Sequence, residues 1–201
     1  MIRVQSIGAN EVEAAARVLT GAFADDPVMA RLVRPQARSR RAKLQALFRS
    51  AILLARPQDV DVARREGADE IVGTAVWSSP AGGGPPRGAL WASLRAAWEL
   101  GPRSVLALAR YDRAVRPFRP RPPFWHLVDI GVSPSAQGLG VGKALLGHRL
   151  GIIDEHGEAA FLEATTQQSR RLYESFGFEA HGALGGVTAG ATAMRRSPAA
   201  R

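Results

Sequence analysis

Cysteine is absent from the 201 residues. That excludes disulfides, zinc thiolate centres and a cysteine nucleophile. Histidine is scarce: the four residues His126, His148, His156 and His181 show no metal-ligand spacing, which argues against a metal enzyme. No uninterrupted apolar run is long enough to cross a bilayer. The opening MIRVQSIGANEVEAAARVL meets acidic residues early and lacks the apolar core of a signal peptide. A cytoplasmic protein without membrane attachment is therefore expected. No basic stripe interleaved with aromatics is found, which argues against a nucleic-acid partner. The net charge of +9 still favours anionic partners, although arginine, alanine, glycine and proline are enriched along the whole chain.

What is present is an ordinary globular composition, 46% hydrophobic and 22% charged, at a length that suits one domain over residues 1–201. IRVQSI reads as a first strand. Asn10 is placed to cap a helix running to about Phe23, and Pro27 starts a short second one. A third helix is expected over roughly 37–56, with Leu44, Leu47, Phe48, Ile52 and Leu54 as its apolar face. DVDVARRE and EIVGTAVWSS read as a hairpin, and AGGGPPRG as a loop. Residues 89–116 read as two helices split at Gly101-Pro102, and RPFRPRPP as an extended connector. Residues 81–122 thus form a helical and proline-rich insertion. FWHLVDIGV is a buried strand, followed by a glycine turn and a helix to about His156. AAFLEAT is a strand, SRRLYESF a short helix, and FEAHGAL with VTAGATAMRR a closing pair of strands. The order describes an α/β fold with a mixed sheet.

The turn IGVSPSAQGLGVGKALL, residues 130–146, carries the chemistry. Gly138, Gly140 and Gly142 strip side chains from one side of the backbone just before a helix. Anions bind at helix N-termini, where backbone N–H groups lack partners. Three phosphate signatures compete. A nucleotide-binding P-loop needs Gly-Lys-Ser/Thr, but Ala144 follows Lys143 and Gln137 holds the place of the first glycine. A dinucleotide fingerprint needs its third glycine one residue later. The pattern Gln-x-x-Gly-x-Gly fits at Gln137, Gly140 and Gly142. Downstream, Leu162, Glu163, Leu172, Tyr173, Glu174, Gly177 and Phe178 form a second pattern in FLEATTQQSRRLYESFGF.

These two motifs, in this order, resemble the GNAT N-acetyltransferase family. AFADDPVM, AVWSSP and FWHLVDIGVSPSAQGLGVG are further similar to its branch containing puromycin N-acetyltransferase. The resemblance implies a central, mostly antiparallel sheet with one splayed parallel strand pair, flanked by helices. It implies acetyl-CoA as co-substrate, no metal, and an amine acceptor.

On that resemblance, the backbone N–H groups from Gln137 through Gly138, Leu139, Gly140, Val141 and Gly142 to Lys143 hold the pyrophosphate. Arg170 or Arg171 would meet the outer phosphate, or simply form a solvated helix face. The backbone of Ile130 and Val132 pairs with the pantetheine arm, with Gly131 giving room. Ser169 stands where the family often has a cofactor-contacting asparagine. Tyr173 is the implied acid for the leaving thiolate. Glu163 is the favoured base. Asp129, a carboxylate interrupting an apolar strand, and His126 are its rivals. Phe23, Asp25, Asp26, Met29 and Trp77 would stand near the acceptor, although Asp25-Asp26 before Pro27 reads equally as a helix start. The expected function is direct acetyl transfer to the primary amine of a small molecule, with a homodimer as a further family expectation. A protein lysine or N-terminal acceptor, or a non-catalytic acyl-CoA sensor, remains an alternative.

Overall fold

The computed structural model describes residues 1–34, 39–80, 88–121 and 123–198. All of the AGGGPPRG loop except Gly88, the first two residues expected in the third helix, and Pro122 of the connector lie outside the described residues.

Seven strands form one sheet: β1 (Ile2–Ser6), β2 (Val60–Arg65), β3 (Ile71–Ser78), β4 (Phe124–Val132), β5 (Ala159–Ala164), β6 (Glu179–Ala183) and β7 (Thr192–Arg196). Their order is β1-β2-β3-β4-β5-β7-β6. Every neighbouring pair is antiparallel except β4 and β5. That parallel pair is registered from Phe124↔Ala159 to Leu127↔Leu162 and then parts, although β4 runs on to Val132. The mixed sheet with a splayed parallel pair matches the expected architecture.

Five helices cover one face: α1 (Val12–Ala22), α2 (Pro27–Leu32), α3 (Arg40–Leu54), α4 (Ala89–Leu100) and α5 (Pro102–Val115). Leu19, Val28, Phe48, Leu100 and Val115 pack there with Val62, Val76 and Phe161 of the sheet. On the opposite face lie α6 (Val141–His156) and α7 (Gln167–Glu174). Leu145, Leu146, Ile153 and Tyr173 pack there with Trp77, Leu127 and Leu162. Burying such side chains supplies roughly 1.5–3 kcal/mol each, which holds both layers to the sheet.

Local chemistry sets where the helices sit. Arg149 of α6 reaches Asp61 of β2 through two contacts of 2.6 and 2.9 Å, and donates to the Gln58 carbonyl. Both partners of this ion pair are buried, so removing either would leave an uncompensated charge. On the other face, a Cβ at Gly131 would lie 2.7 Å from Ala22 Cβ and 3.0 Å from Leu19 Cδ2. Glycine there lets α1 lie directly on β4.

Several boundaries differ from expectation for physical reasons. Asn10 does not cap α1. Glu11 holds the N-cap position, and its carboxylate accepts from the Gly8 N–H and pairs with Arg64. Helix α7 starts two residues early because Thr166 and Ser169 form a reciprocal capping box. The extended connector begins with a 3-10 turn at Arg116–Phe118. Val187 and Thr188, expected to open the last strand, belong instead to a 3-10 turn at Gly186–Thr188.

Candidate active site

The glycine turn is built as its sequence suggests. Gly138 and Gly140 have φ of 79° and 80°, the left-handed region that glycine occupies without steric cost. Gly140 is the N-cap of α6. The first helical hydrogen bond there runs from the Ala144 N–H to the Gly140 carbonyl (3.0 Å). The N–H groups of Val141, Gly142 and Lys143 therefore open onto the turn with no intrahelical acceptor. With the dipole of a 16-residue helix behind them, they suit a phosphate. A Cβ at Gly142 would meet only Leu172 at 3.6 Å and Val132 at 3.8 Å. The turn thus packs beside the end of β4 and the start of α7.

The splay of β4 from β5 exposes the second half of the site. Plain alternation would put Asp129 on the same face as Trp125 and Leu127. The register says otherwise: Val76 pairs with Asp129 and Trp77 with Leu127, so Val128 is an extra, bulged residue. A bulge of this kind re-aims the residues that follow it. It moves Asp129 onto the face of His126, opposite α6. On β5, Glu163 shares a face with Phe161, which is paired with His126. Glu163 and His126 then meet, with Nε2 and Oε2 3.1 Å apart. The Glu163 side chain is only 4% exposed. Its second oxygen, Oε1, is buried without a hydrogen-bond partner among the described residues. Such an atom is costly unless a ligand's N–H meets it.

The charges around this point are mostly negative. Burial, then Glu163 and then Asp26, push the Asp129 carboxyl up to about 8. Tyr173 of α7 is 6% exposed. Burial first, then Glu163, Asp129 and Asp26, raise its hydroxyl above the usual range. It therefore stays protonated through neutral pH. The arrangement offers a carboxylate, a proton-bearing phenol and a gap between two strands, backed by a helix N-terminus.

The residues expected near the acceptor divide. Phe23 stacks on Phe48 with ring centroids 5.1 Å apart, and it packs with Met29 on the α1–α5 face. Asp26 is committed structurally. Oδ1 accepts from the Val28 and Met29 N–H groups (both 2.8 Å), and Oδ2 accepts from the Thr165 hydroxyl (2.6 Å). Asp25 is exposed. Trp77 does not join this group. It is fully buried on the α6–α7 face, and its indole N–H has no partner among the described residues. Seven consecutive buried residues of β3 gave no alternation from which to choose its face. Gly131 faces α1, so the room beside it is taken by Leu19 and Ala22. The Ser169 hydroxyl is engaged with Thr166 in the cap of α7. Arg170 is paired with Glu174 (2.8 Å).

Tyr111 is the residue that sequence reasoning missed. It lies on α5, inside the 81–122 insertion, and packs against the α1–α5 core. Burial, then the charges of Glu163 and Asp129, raise its hydroxyl. Only two tyrosines occur in the chain. Both hydroxyls lie in the field of the same three carboxylates, Asp26, Asp129 and Glu163. Thr165, which ties the end of β5 to the start of α2, was also missed.

Comparison with known proteins gives a consistent result. The model of the acetyltransferase (GNAT) family matches residues 29–178. A solved structure from Corynebacterium glutamicum, described as histone acetyltransferase HPA2 and related acetyltransferase, is 31% identical. The match covers 100% of this chain and 98% of that one, with a TM-score of 0.75. The Drosophila melanogaster polyamine N-acetyltransferase is 18% identical over 98% and 100% of the two chains, with a TM-score of 0.62. A Brucella melitensis GNAT family acetyltransferase, solved with acetyl-CoA, is 16% identical over 98% and 88%, with a TM-score of 0.50.

Proposed function

The chain belongs to the acetyltransferase (GNAT) family and is an acetyl-CoA-dependent acyltransferase; from that premise we propose that it moves the acetyl group directly to the primary amine of a small molecule. The observation that carries this reading is Glu163. Its buried carboxylate has one oxygen on His126 and the other without a partner, at the mouth of the β4–β5 splay.

The turn from Gln137 to Lys143 holds the pyrophosphate of acetyl-CoA on backbone N–H groups, with no metal needed. The β4 edge at Ile130 and Val132, unpaired beyond Leu127, takes the pantetheine arm as an added strand. The acceptor ammonium enters from the α1–α5 face, lined by Phe23 and Met29, and is drawn by the net negative charge. Glu163 takes its proton. The free amine forms the new N–C bond, the C–S bond breaks, and Tyr173 gives its proton to the departing thiolate. Asp129, mostly protonated at neutral pH, already carries the proton that a base would take up. Tyr111, in the field of Glu163 and Asp129, adds a neutral hydroxyl beside these carboxylates. Asp26 contributes charge and the start of α2.

The segments that resemble the puromycin N-acetyltransferase branch make an aminonucleoside the first acceptor to try. A homodimer belongs to the same reading, and a second copy would cover the α4 face bearing Trp91, Leu94 and Trp98, which are 74%, 53% and 88% exposed. Each tryptophan offers roughly 150–250 Å² toward the ~800 Å² per partner of a standard interface.

Acetyl-CoA-dependent thiol release against an amine panel tests the proposal. Glu163→Gln and Tyr173→Phe should each lower kcat/KM about 10²- to 10⁴-fold with acetyl-CoA affinity unchanged. Full turnover in either variant would remove that residue from the mechanism. Lysine peptides belong in the panel, since the 31% identical structure is described as a histone acetyltransferase and related acetyltransferase. Binding of acetyl-CoA with no thiol release from any amine would favour a sensor.

A further inference from the structure

We propose that the cavity between α2, the start of α3 and the start of α5 binds a polyanionic group, phosphate or carboxylate in chemistry. Arg31, Arg34, Lys43, Arg103 and Arg110 line a cavity of about 730 Å³, and no aspartate or glutamate lines it. Among the described residues none of these five cations sits in an ion pair. Arg31 has a backbone contact, Nη1 to the Ala189 carbonyl (2.5 Å). Some arginines elsewhere do find acid, among them Arg49 with Glu99, Arg149 with Asp61 and Arg196 with Asp154. What distinguishes this hollow is that five cations converge on it with no acid among its described lining residues.

Helix α5 adds to the field. Pro102 has no N–H, and the first helical hydrogen bond runs from the Val105 N–H to the Gly101 carbonyl (3.1 Å). The N–H groups of Arg103 and Ser104 thus stand at the positive end of a 14-residue helix, with the cavity in front of them. The walls are apolar, from Leu32, Leu100 and Leu106. They lower the local dielectric and strengthen the attraction for an anion.

The cavity also shares two walls with the acceptor site. Helix α5 carries Tyr111 eight residues beyond Arg103, about 12 Å along the axis at 1.5 Å per residue. Helix α2 begins at the Asp26 cap beside the site and runs to Arg31. The cation-lined hollow and the carboxylates that receive the amine are thus joined through α2 and α5. Two sources of the anion fit this placement. It is carried by the acceptor itself, an amine with a phosphate or carboxylate at its far end, or by a separate effector that braces α2 and α5. The first source rests on the proposed acetyltransferase function; the binding site does not.

Tripolyphosphate titrated calorimetrically into the protein, in chelator and with saturating CoA to occupy the glycine turn, tests the site. The wild type should bind one equivalent, more weakly as salt rises. Arg103→Glu combined with Arg110→Glu, two exposed changes, should weaken binding at least tenfold with unchanged circular dichroism. No saturable binding to the wild type, or equal binding to the double variant, overturns the proposal. Thiol release from an amine and from the same amine bearing a phosphate then assigns the source. Loss of kcat/KM in the double variant for the phosphorylated amine alone identifies an acceptor tail. A rate change caused by tripolyphosphate on the plain amine, absent in the variant, identifies an effector. Failure of CoA to bind would refute the acetyltransferase reading, while the variant comparison would still report on the cavity.

Discussion

Asp129→Asn tests the physical picture of the splayed strands most sharply. The folded chain holds the Asp129 proton up to a pH of about 8, through burial and then the charges of Glu163 and Asp26. The unfolded chain gives it up near its ordinary value of about 3.9. Between those values the folded state binds more protons than the unfolded one. Stability from this group is therefore full below pH ~4, falls as pH rises, and is flat above ~8. The largest possible slope is about 1.4 kcal/mol per pH unit. Asp129 is only partly buried, and water contact lowers the pH at which the folded chain releases the proton, which shortens the range over which that slope holds. Asparagine keeps the shape and has no proton to lose. Urea unfolding of both proteins at pH 5, 6, 7, 8 and 9 gives the difference in stability directly. The variant should gain on the wild type by ~2–3 kcal/mol between pH 5 and 8, with no further gain at pH 9. A difference that does not change with pH would mean that Asp129 is well solvated. The bulge at Val128 would then not deliver it to the acidic face.

Two other substitutions probe separate parts of the account. Gly131→Ala puts a methyl against Ala22 and Leu19 at 2.7 and 3.0 Å; it should cost about 1–3 kcal/mol, read as a lower urea midpoint, and an unchanged midpoint would mean that α1 shifts freely on β4. Tyr111→Phe removes the hydroxyl that faces Glu163 and should lower kcat/KM about 2- to 10-fold, narrowing the pH profile while the thermal midpoint stays within ~2 °C, and an unaltered profile would reduce Tyr111 to a packing residue.

How much of this was legible in the sequence depended on whether local chemistry or tertiary packing decides. The turn at 137–143 was legible because positive φ at Gly138 and Gly140 and a following helix are properties of a short stretch. The mixed sheet followed from the order of elements, and α4 and α5 divide at Gly101-Pro102 as expected. Asp129 stood out as a carboxylate in an apolar strand. The bulge that aims it did not, because β4 acquires that extra residue from its pairing with β3. Trp77 was misplaced for a related reason: a strand buried on both sides carries no facial signal. Tyr111 was invisible because nothing in PRSVLALARYDRAV says which side of α5 will meet Glu163. That is settled by how the insertion folds back over α2 and the turn at Gly186–Thr188. Asp26 was read both as a cap and as an acceptor contact. The structure gives it the cap in full, with its charge still bearing on the site.

The central claim is that the glycine turn binds acetyl-CoA through its backbone. Isothermal titration of acetyl-CoA into the wild type and Gly142→Glu, both in chelator, tests it most directly. Gly142 is helical, and a Cβ there makes only ordinary contacts with Leu172 and Val132 at 3.6 and 3.8 Å, so the variant should fold while placing a carboxylate beside the N–H groups that take the pyrophosphate. The account predicts saturable one-to-one binding to the wild type and at least a hundredfold loss in the variant. No binding to the wild type, or equal affinity in both, would contradict it.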